Sequence, residues 1–320
     1  MSRLRVLLVV LLPLALLRAA GAESGTFAVL AVGLAPWVLL PGYPALLAGL
    51  LARDRLVAGA AAVVAAVHLL AVLPAVRPAA LAPVTATRLR VAVANLYVLN
   101  PDPRATGEAL RALDLDVLVV PELTPAGLTG LRASGLLTDL PHRVVDPGAV
   151  ETVGLFSRTP LYDVQVRAGA GRALPSATTS VAGRPVRVLS AHTLPPVGPL
   201  QHDWRRGLRL VARDAHPQSA PVVVLGDLNG DRDHAAVRAL LRTGLRDVHD
   251  ERGRGLARTW PAALPLLHLD HVLVRDGSAA GVVPIDVREV RLPGTDHLAV
   301  VADLAVTDPD PTGERRADGA

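Results

Sequence analysis

Three long apolar stretches fill the first eighty positions, and shorter apolar runs between polar turns fill the rest. Residues 4–22, after Arg5, are interrupted by Pro13 and Arg18, residues 27–52 carry no charge, and residues 56–76 hold His68 as their one polar side chain. A bilayer core is crossed by roughly 20 apolar residues in a helix, so the second and third stretches are expected to span a membrane. The first is either a third span or a signal peptide: Arg3 and Arg5 precede its apolar run, and Ala20-Gly-Ala22 resembles a small-residue cleavage site. Both readings give one topology. Arg53 and Arg55, in the tight turn between the second and third stretches, place that turn on the cytoplasmic side and the remainder of the chain outside. The expectation is a multi-pass cell-membrane protein with an extracytoplasmic domain. His68 reads as packed or interfacial.

Residues 77–87 contain Pro78 and Pro83 and read as a short, stiff linker holding the domain near the bilayer. From residue 88 to 305 the pattern changes. Apolar runs at 89–96, 116–120, 150–156, 161–166, 176–181, 186–190, 222–225, 270–274 and 298–305 read as strands. Residues 104–113, with Thr106 as a candidate cap, and 234–241 have helical spacing. In 200–214, Trp204, Leu208 and Val211 fall on one face and arginines elsewhere. The tail, 306–320, is polar and expected to be loose. Strands and helices alternating irregularly predict an α/β fold, a mixed-sheet sandwich covered by helices.

Composition narrows the function. There is no cysteine, which excludes disulfides and thiolate metal sites. Of 33 basic residues, all arginine, six precede residue 85, and of 29 acidic residues two do, so the chain from residue 85 onward carries 27 of each and is neutral. A neutral domain does not advertise tight, non-specific attraction to nucleic acid.

Polar residues recur where apolar strands end: Asn95, Glu122, His192, Asp227 with Asn229, Asp270, and Asp296 with His297. Six such ends resemble the rim of one site, since loop ends on a rigid scaffold are where catalytic groups gather. Glu122, Asp296 and Asn95 offer hard oxygen ligands suited to Mg²⁺ or Mn²⁺. Asp227 is placed to orient or deprotonate a water, and Asp270 to hold a histidine in one tautomer. No serine or cysteine is coupled to them, so metal-assisted attack of water on phosphorus fits best.

The series Asn95, Glu122, Ser157-Arg158, His192, Gly226-Asp227-Leu228-Asn229, Thr259-Trp260-Pro261, Leu269-Asp270-His271 and Thr295-Asp296-His297 resembles the endonuclease/exonuclease/phosphatase superfamily. The resemblance implies a four-layer sandwich of two mixed β-sheets flanked by helices, here preceded by two or three transmembrane helices. It implies Glu122 as main ligand of Mg²⁺, assisted by Asn95 and Asp296, and Asp227 with Asn229 positioning the attacking water and the phosphate. His297, paired with Asp270, becomes general base or phosphate clamp, and His192 stabilises phosphoryl oxygens or protonates the leaving group. Arg158 either meets a phosphate or caps a strand; Trp260 either stacks on substrate or packs in the core. Tyr97 stands where abasic endonucleases carry an acidic residue, and Pro121 where many members have Gln. His142, His202, His216, His234, His249 and His268 read as surface or packing residues. The implied substrate is a phosphoester, a nucleic acid fragment or a phospholipid head group, with no obligate protein partner evident. The non-enzymatic alternative is a degenerate domain that binds a phosphorylated ligand.

Overall fold

The computed structural model describes residues 3–79, 87–145, 151–169 and 172–308. Its amino-terminal part is helical: α1 (Arg3–Ala20), α2 (Thr26–Gly33), α3 (Ala35–Val38), α4 (Gly42–Leu51) and α5 (Arg55–Val76). The start of α5 is set by Asp54, whose Oδ1 accepts the N–H groups of Leu56 and Val57 at 3.1 and 3.2 Å, satisfying two otherwise unpaired helix-end donors. This helix has a mean hydropathy of 2.5 and is long and apolar enough to cross a membrane. The second expected span is not one straight helix. Pro36, Pro41 and Pro44 withhold N–H donors, and the chain bends by 63° between α2 and the segment Ala35–Leu51. Among the described residues, therefore, one helix meets the length and hydropathy of a span, or two if the bent pair counts as one. The first stretch forms α1, which accommodates Pro13. Leu11, Val32, Leu39, Ala61 and Val64 pack these helices into one cluster.

The rest of the chain forms β1 (Thr87–Val93), α6 (Pro103–Arg111), β2 (Val117–Leu123), α7 (Pro125–Ala133), α8 (Leu136–Asp139), β3 (His142–Val144) and β4 (Thr152–Ser157). There follow β5 (Tyr162–Ala168), β6 (Ala173–Val181), β7 (Arg184–His192), α9 (Leu200–Asp214), β8 (Val222–Asp227), α10 (Ala235–Leu241) and β9 (Arg246–Asp247). The chain closes with α11 (Val248–Glu251), β10 (Asp270–Arg275), β11 (Gly281–Arg291) and β12 (Leu298–Thr307). Helix α6 starts at Asp102, whose Oδ1 accepts from Ala105 N–H at 3.0 Å. Thr106, the expected cap, is instead buried and donates to the Pro293 carbonyl at 2.7 Å. Residues 80–86 of the expected linker, Val150, and the tail beyond residue 308 lie outside the described residues. Strand β12 runs two residues past the expected domain end.

Among the described residues the strands make two six-stranded mixed sheets, ordered β11-β12-β1-β2-β4-β3 and β5-β6-β7-β8-β10-β9. Alternation along each strand divides the core. Val91, Val119, Val188, Val223, Leu225, Val272 and Val300 meet between the sheets. Ala92, Leu118 and Val301 face α6 to α8, while Val224 and Leu273 face Trp204, Leu208 and Val237 on α9 and α10. The result is helices, sheet, sheet, helices, the packing that hides both faces of each sheet.

Candidate active site

Register builds the site. Strand β8 pairs in parallel with β7 and antiparallel with β10, and both ladders meet at Asp227: His192 lies opposite it on one side and Asp270 on the other. Because side chains alternate, the row that carries Val223 and Leu225 inward carries Asp227 inward too, and the same parity applies to Val188 with His192 and Val272 with Asp270. One row across the second sheet therefore delivers an imidazole and two carboxylates to the gap between the sheets. The close approach of β7 needs Gly226, where a Cβ would stand 2.1 Å from the Ala191 carbonyl oxygen.

The first sheet supplies the opposite wall. Asn95 continues the inward row of Val91 and Val93 just beyond β1. Strict alternation along β2 would send Glu122 outward, since Val119 faces in and Val120 out. An extra residue in β2 between Val120 and Leu123, with Glu122 at φ 55°, turns the carboxylate back to the site. A bulge that re-aims a side chain is a common device at active sites. Asn95 joins the walls, its Nδ2 donating to Glu122 Oε1 at 3.2 Å and to Asp227 Oδ2 at 3.0 Å. Its Oδ1 accepts from Tyr97 N–H at 3.0 Å. In this arrangement Asn95 offers hydrogens to the site and braces two carboxylates; ligation by Asn95, as expected from sequence, requires its amide to rotate.

The remaining residues converge on the same point. His297 Nδ1 lies 2.7 Å from Asp270 Oδ2, leaving Nε2 facing Asp227 Oδ2 at 3.9 Å. His192 Nε2 is 3.8 Å from Asp227 Oδ2 and 3.9 Å from Glu122 Oε1. Asn229, at φ 48°, donates its backbone N–H to Asp227 Oδ1 at 2.8 Å and its Nδ2 to the Thr193 carbonyl at 2.9 Å. Half-buried Trp260 donates Nε1 to Asp296 Oδ2 at 3.3 Å, with its ring 6.4 Å from that of His297. Asp227, Asp270 and His297 bring ligand atoms within 4.8 Å of one another.

Charge follows from burial and neighbours. Burial and then the Asp270 carboxylate push Asp227 up to about 7. Burial opposes a charge on His297, but the carboxylates of Asp270, Asp227 and Asp296 outweigh it and raise its pKa to about 10. Burial, with Arg172 and His297 as neighbouring cations, holds His192 well below the ordinary histidine range. The site thus pairs an imidazolium at His297 with a neutral imidazole at His192. For a hard divalent cation the fit is good: Asp296 Oδ1 and Asp270 Oδ1 are buried with no hydrogen-bond partner among the described residues, and the Glu122 carboxylate lies 3.9 Å from His192 Nε2 in the same gap.

One expected substrate contact is elsewhere. Arg158 follows β4 at the end opposite the site, where it pairs with Asp114 at 2.5 Å and Asp116 at 3.3 Å and donates to the Leu115 carbonyl. Two acidic residues ahead of β2 capture it. The arginine at the site is Arg172, ahead of β6, which pairs with Glu151 and places Nη1 2.5 Å from His192 Nδ1. Nothing in its sequence surroundings marks it, because it enters from a connection between strands and not from a strand end.

The amino-terminal helices meet the domain beside this site. Arg18 Nε pairs with Asp233 Oδ1 at 2.6 Å, Glu23 Oε1 accepts from Ala235 N–H at 2.6 Å, and His234 Nε2 lies 3.0 Å from the Val29 carbonyl. All three partners follow Asn229 within six residues. Trp37 Nε1 donates to the Leu266 carbonyl at 3.2 Å, and Arg258 stacks over the Trp37 ring at 5.3 Å.

Two mixed sheets whose facing strand ends gather carboxylates, imidazoles and an amide define a phosphoesterase-type α/β sandwich. A sequence model described as the Endonuclease/Exonuclease/phosphatase family matches residues 92–297, more than half of the chain, and the chain belongs to that family. Members of this family are hydrolases of phosphoester bonds. The Uncharacterized protein YbhP of Escherichia coli K12 is 32% identical over 88 residues, 28% of this chain. That match spans about a third, 34%, of the relative's length. Among solved structures, the endonuclease/exonuclease/phosphatase from Beutenbergia cavernae aligns with a TM-score of 0.56 and 22% identity over 69% of this chain and 72% of that one. D. rerio TDP2, in complex with a single-strand DNA product, aligns at 0.56 with 19% identity over 68% and 98%. Beta toxin from Staphylococcus aureus aligns at 0.51 with 14% identity over 67% and 99%. These likenesses are of fold.

Proposed function

We propose that the chain is a metal-dependent hydrolase of phosphoester bonds, held at a membrane by its amino-terminal helices. The observation that carries this reading is the His192–Asp227–Asp270 row facing Asn95 and Glu122 across the sandwich, with His297 closing the gap. Asp227, raised to about 7, is matched to taking a proton from water at neutral pH, and Asn229 N–H holds its second oxygen in place. His297, charged through Asp270, donates from Nε2 to a phosphoryl oxygen, so it acts as the clamp and not as the base. Neutral His192 has an N–H for a further phosphoryl or leaving-group oxygen, and Arg172 behind it adds positive charge. Glu122 and Asp296 would hold the cation, Mg²⁺ or Mn²⁺, which when bound neutralises charge on the phosphoryl group. Trp260 orients Asp296 and offers a ring face beside His297.

The placement of the helices favours a phospholipid head group over a nucleic acid fragment. The ends of α1 and α5 nearest the domain adjoin the loops that carry Asp227 and Trp260, while Arg3, Arg5, Arg53 and Arg55 gather at the far end, where Arg5 meets Asp54 at 2.8 Å. That charge distribution supports an extracytoplasmic domain. Leu99, Val197, Leu264 and Leu266 stand exposed on the loops around the site. An apolar collar beside a bilayer suits a substrate presented by lipid.

The test is hydrolysis by the full chain in detergent or vesicles of phospholipids, oligonucleotides and phosphomonoesters, with and without chelator. Asp227→Asn should lower turnover at least a hundredfold on whichever substrate is used. Full turnover by Asp227→Asn in excess chelator would end this reading.

A further inference from the structure

A second cluster of ionisable side chains lies on the outer face of the second sheet, away from the phosphoester site. Asp247 ends β9, His249 sits in α11, His271 in β10 and His268 in the loop before it. All four are buried, at 6, 0, 2 and 3% exposure respectively. Parity sends His271 outward where its neighbours Asp270 and Val272 face inward, so the two sites share a strand but not a face.

The hydrogen bonds of this cluster are arranged from behind. His271 Nε2 donates to the Gly230 carbonyl at 2.9 Å and Nδ1 donates to Asp247 Oδ2 at 2.7 Å, so a cation here would take the place of the Nδ1 proton. His249 Nε2 is held 2.9 Å from Glu289 Oε1, and its Nδ1 is left 3.5 Å from Asp247 Oδ1 with no hydrogen bond. His268 Nε2 is likewise buried and unpartnered, its ring 4.5 Å from that of His249 and 4.3 Å from that of His271. Asp247, His268 and His271 each bring one ligand atom within 4.8 Å of the others. Buried polar atoms are almost always paired, so two imidazole nitrogens without partners among the described residues are an anomaly for a plain packing cluster.

A metal centre resolves the anomaly. Histidine ligands characteristically give their second ring N–H to a carboxylate or a backbone carbonyl, as His249 does with Glu289 and His271 with Gly230. Two imidazoles and one carboxylate converge, with His249 Nδ1 beside that carboxylate as the fourth donor to be drawn in, and this nitrogen-rich set suits Zn²⁺, unlike the all-oxygen carboxylates offered at the phosphoester site. Of the surrounding charges, Arg232 faces Asp250 at 2.7 Å and Arg254 pairs with Glu289 at 3.0 Å, while buried Arg258 donates to the carbonyls of Gly255 and Ala257. We propose that Asp247, His268 and His271, joined by His249 from beside Asp247, form a site for a zinc-class cation, distinct from the phosphoester site. Gly230 follows Asn229 and His271 follows Asp270, so a cation here ties together the two segments that carry those residues.

The full chain in detergent is loaded with Zn²⁺, passed through gel filtration and assayed for metal by mass spectrometry; a parallel sample is titrated with Co²⁺. About one tightly held equivalent is expected, with the intense visible absorption of tetrahedral Co²⁺. Asp227→Asn should leave both readouts unchanged, whereas the near-isosteric double variant His249→Gln/His268→Asn should lose them. Failure of wild-type protein to retain Zn²⁺, or a weak octahedral Co²⁺ spectrum, would overturn the proposal without need of any variant. Retention by the double variant, or loss in Asp227→Asn, would assign the metal elsewhere and overturn it equally. A bridging water alone would appear as absence of metal.

Discussion

Replacing Asp270 by Asn isolates the charge that sets the state of His297. The two side chains meet at 2.7 Å, with Asp270 fully buried and His297 exposed by only 6%. The substitution keeps the size and removes the negative charge. With that carboxylate gone, the pKa of His297 should fall from about 10 towards the ordinary value of roughly 6.5, because burial is then opposed only by Asp227 and Asp296. Breaking a buried pair by removing one partner costs roughly 3–5 kcal/mol, and that loss should appear near neutral pH. His297 has a folded pKa above its unfolded one, so its stabilising contribution is complete below about pH 6.5 and disappears as pH rises through about 10. Wild-type protein should therefore lose stability between those limits, and Asp270→Asn should show a flatter profile there. Nitrogen NMR of histidine-labelled protein in chelator reads the titration, and denaturant unfolding against pH reads the stability. Turnover should fall roughly 10²–10⁴-fold as the clamp loses its charge. A His297 that remains protonated above neutral pH in Asp270→Asn would refute the assignment of its charge to that carboxylate.

Arg158→Ala should change unfolding free energy by less than about 1 kcal/mol, since its ion pairs are largely exposed, and leave KM for a phosphoester unaltered. Arg172→Ala should raise KM in the same assay; the reverse pattern would put the wrong arginine at the site. Gly226→Ala forces a methyl against the Ala191 carbonyl and should destabilise by about 1–3 kcal/mol, read from the denaturant midpoint, while separating His192 from Asp227. A neutral Gly226→Ala would mean that β7 and β8 adjust freely.

Sequence reading succeeded where periodicity and chemistry coincide. Helix α9 spans the expected 200–214, and the buried run 222–225 became the strand that presents Asp227. Strand ends carrying Asn95, Glu122, His192 and Asp270 were legible because a polar residue closing an apolar run is a local signal. Glu122 shows the limit. Its direction depends on a bulge, which adds one residue without altering composition. Strand β11, with Pro284, Asp286, Arg288 and Glu289 among its valines, escaped notice because polar residues interrupt its alternation and a register shift breaks it between Pro284 and Asp286. The choice for Arg158 between a phosphate and a strand end was not legible because its partners Asp114 and Asp116 lie more than forty positions away, a distance across which charge pairing leaves no trace in local pattern.

The contacts of Arg18, Glu23 and Val29 with Asp233, Ala235 and His234 bear on how this protein can be handled. Those acceptors and donors belong to the stretch directly after Asn229, so a soluble fragment starting near residue 87 would leave a carboxylate, an imidazole and a helix-end amide bare beside the water-positioning loop. Removing the amino-terminal helices would thus dismantle part of the wall against which Asp227 is set, and an inactive fragment would say little about the whole molecule.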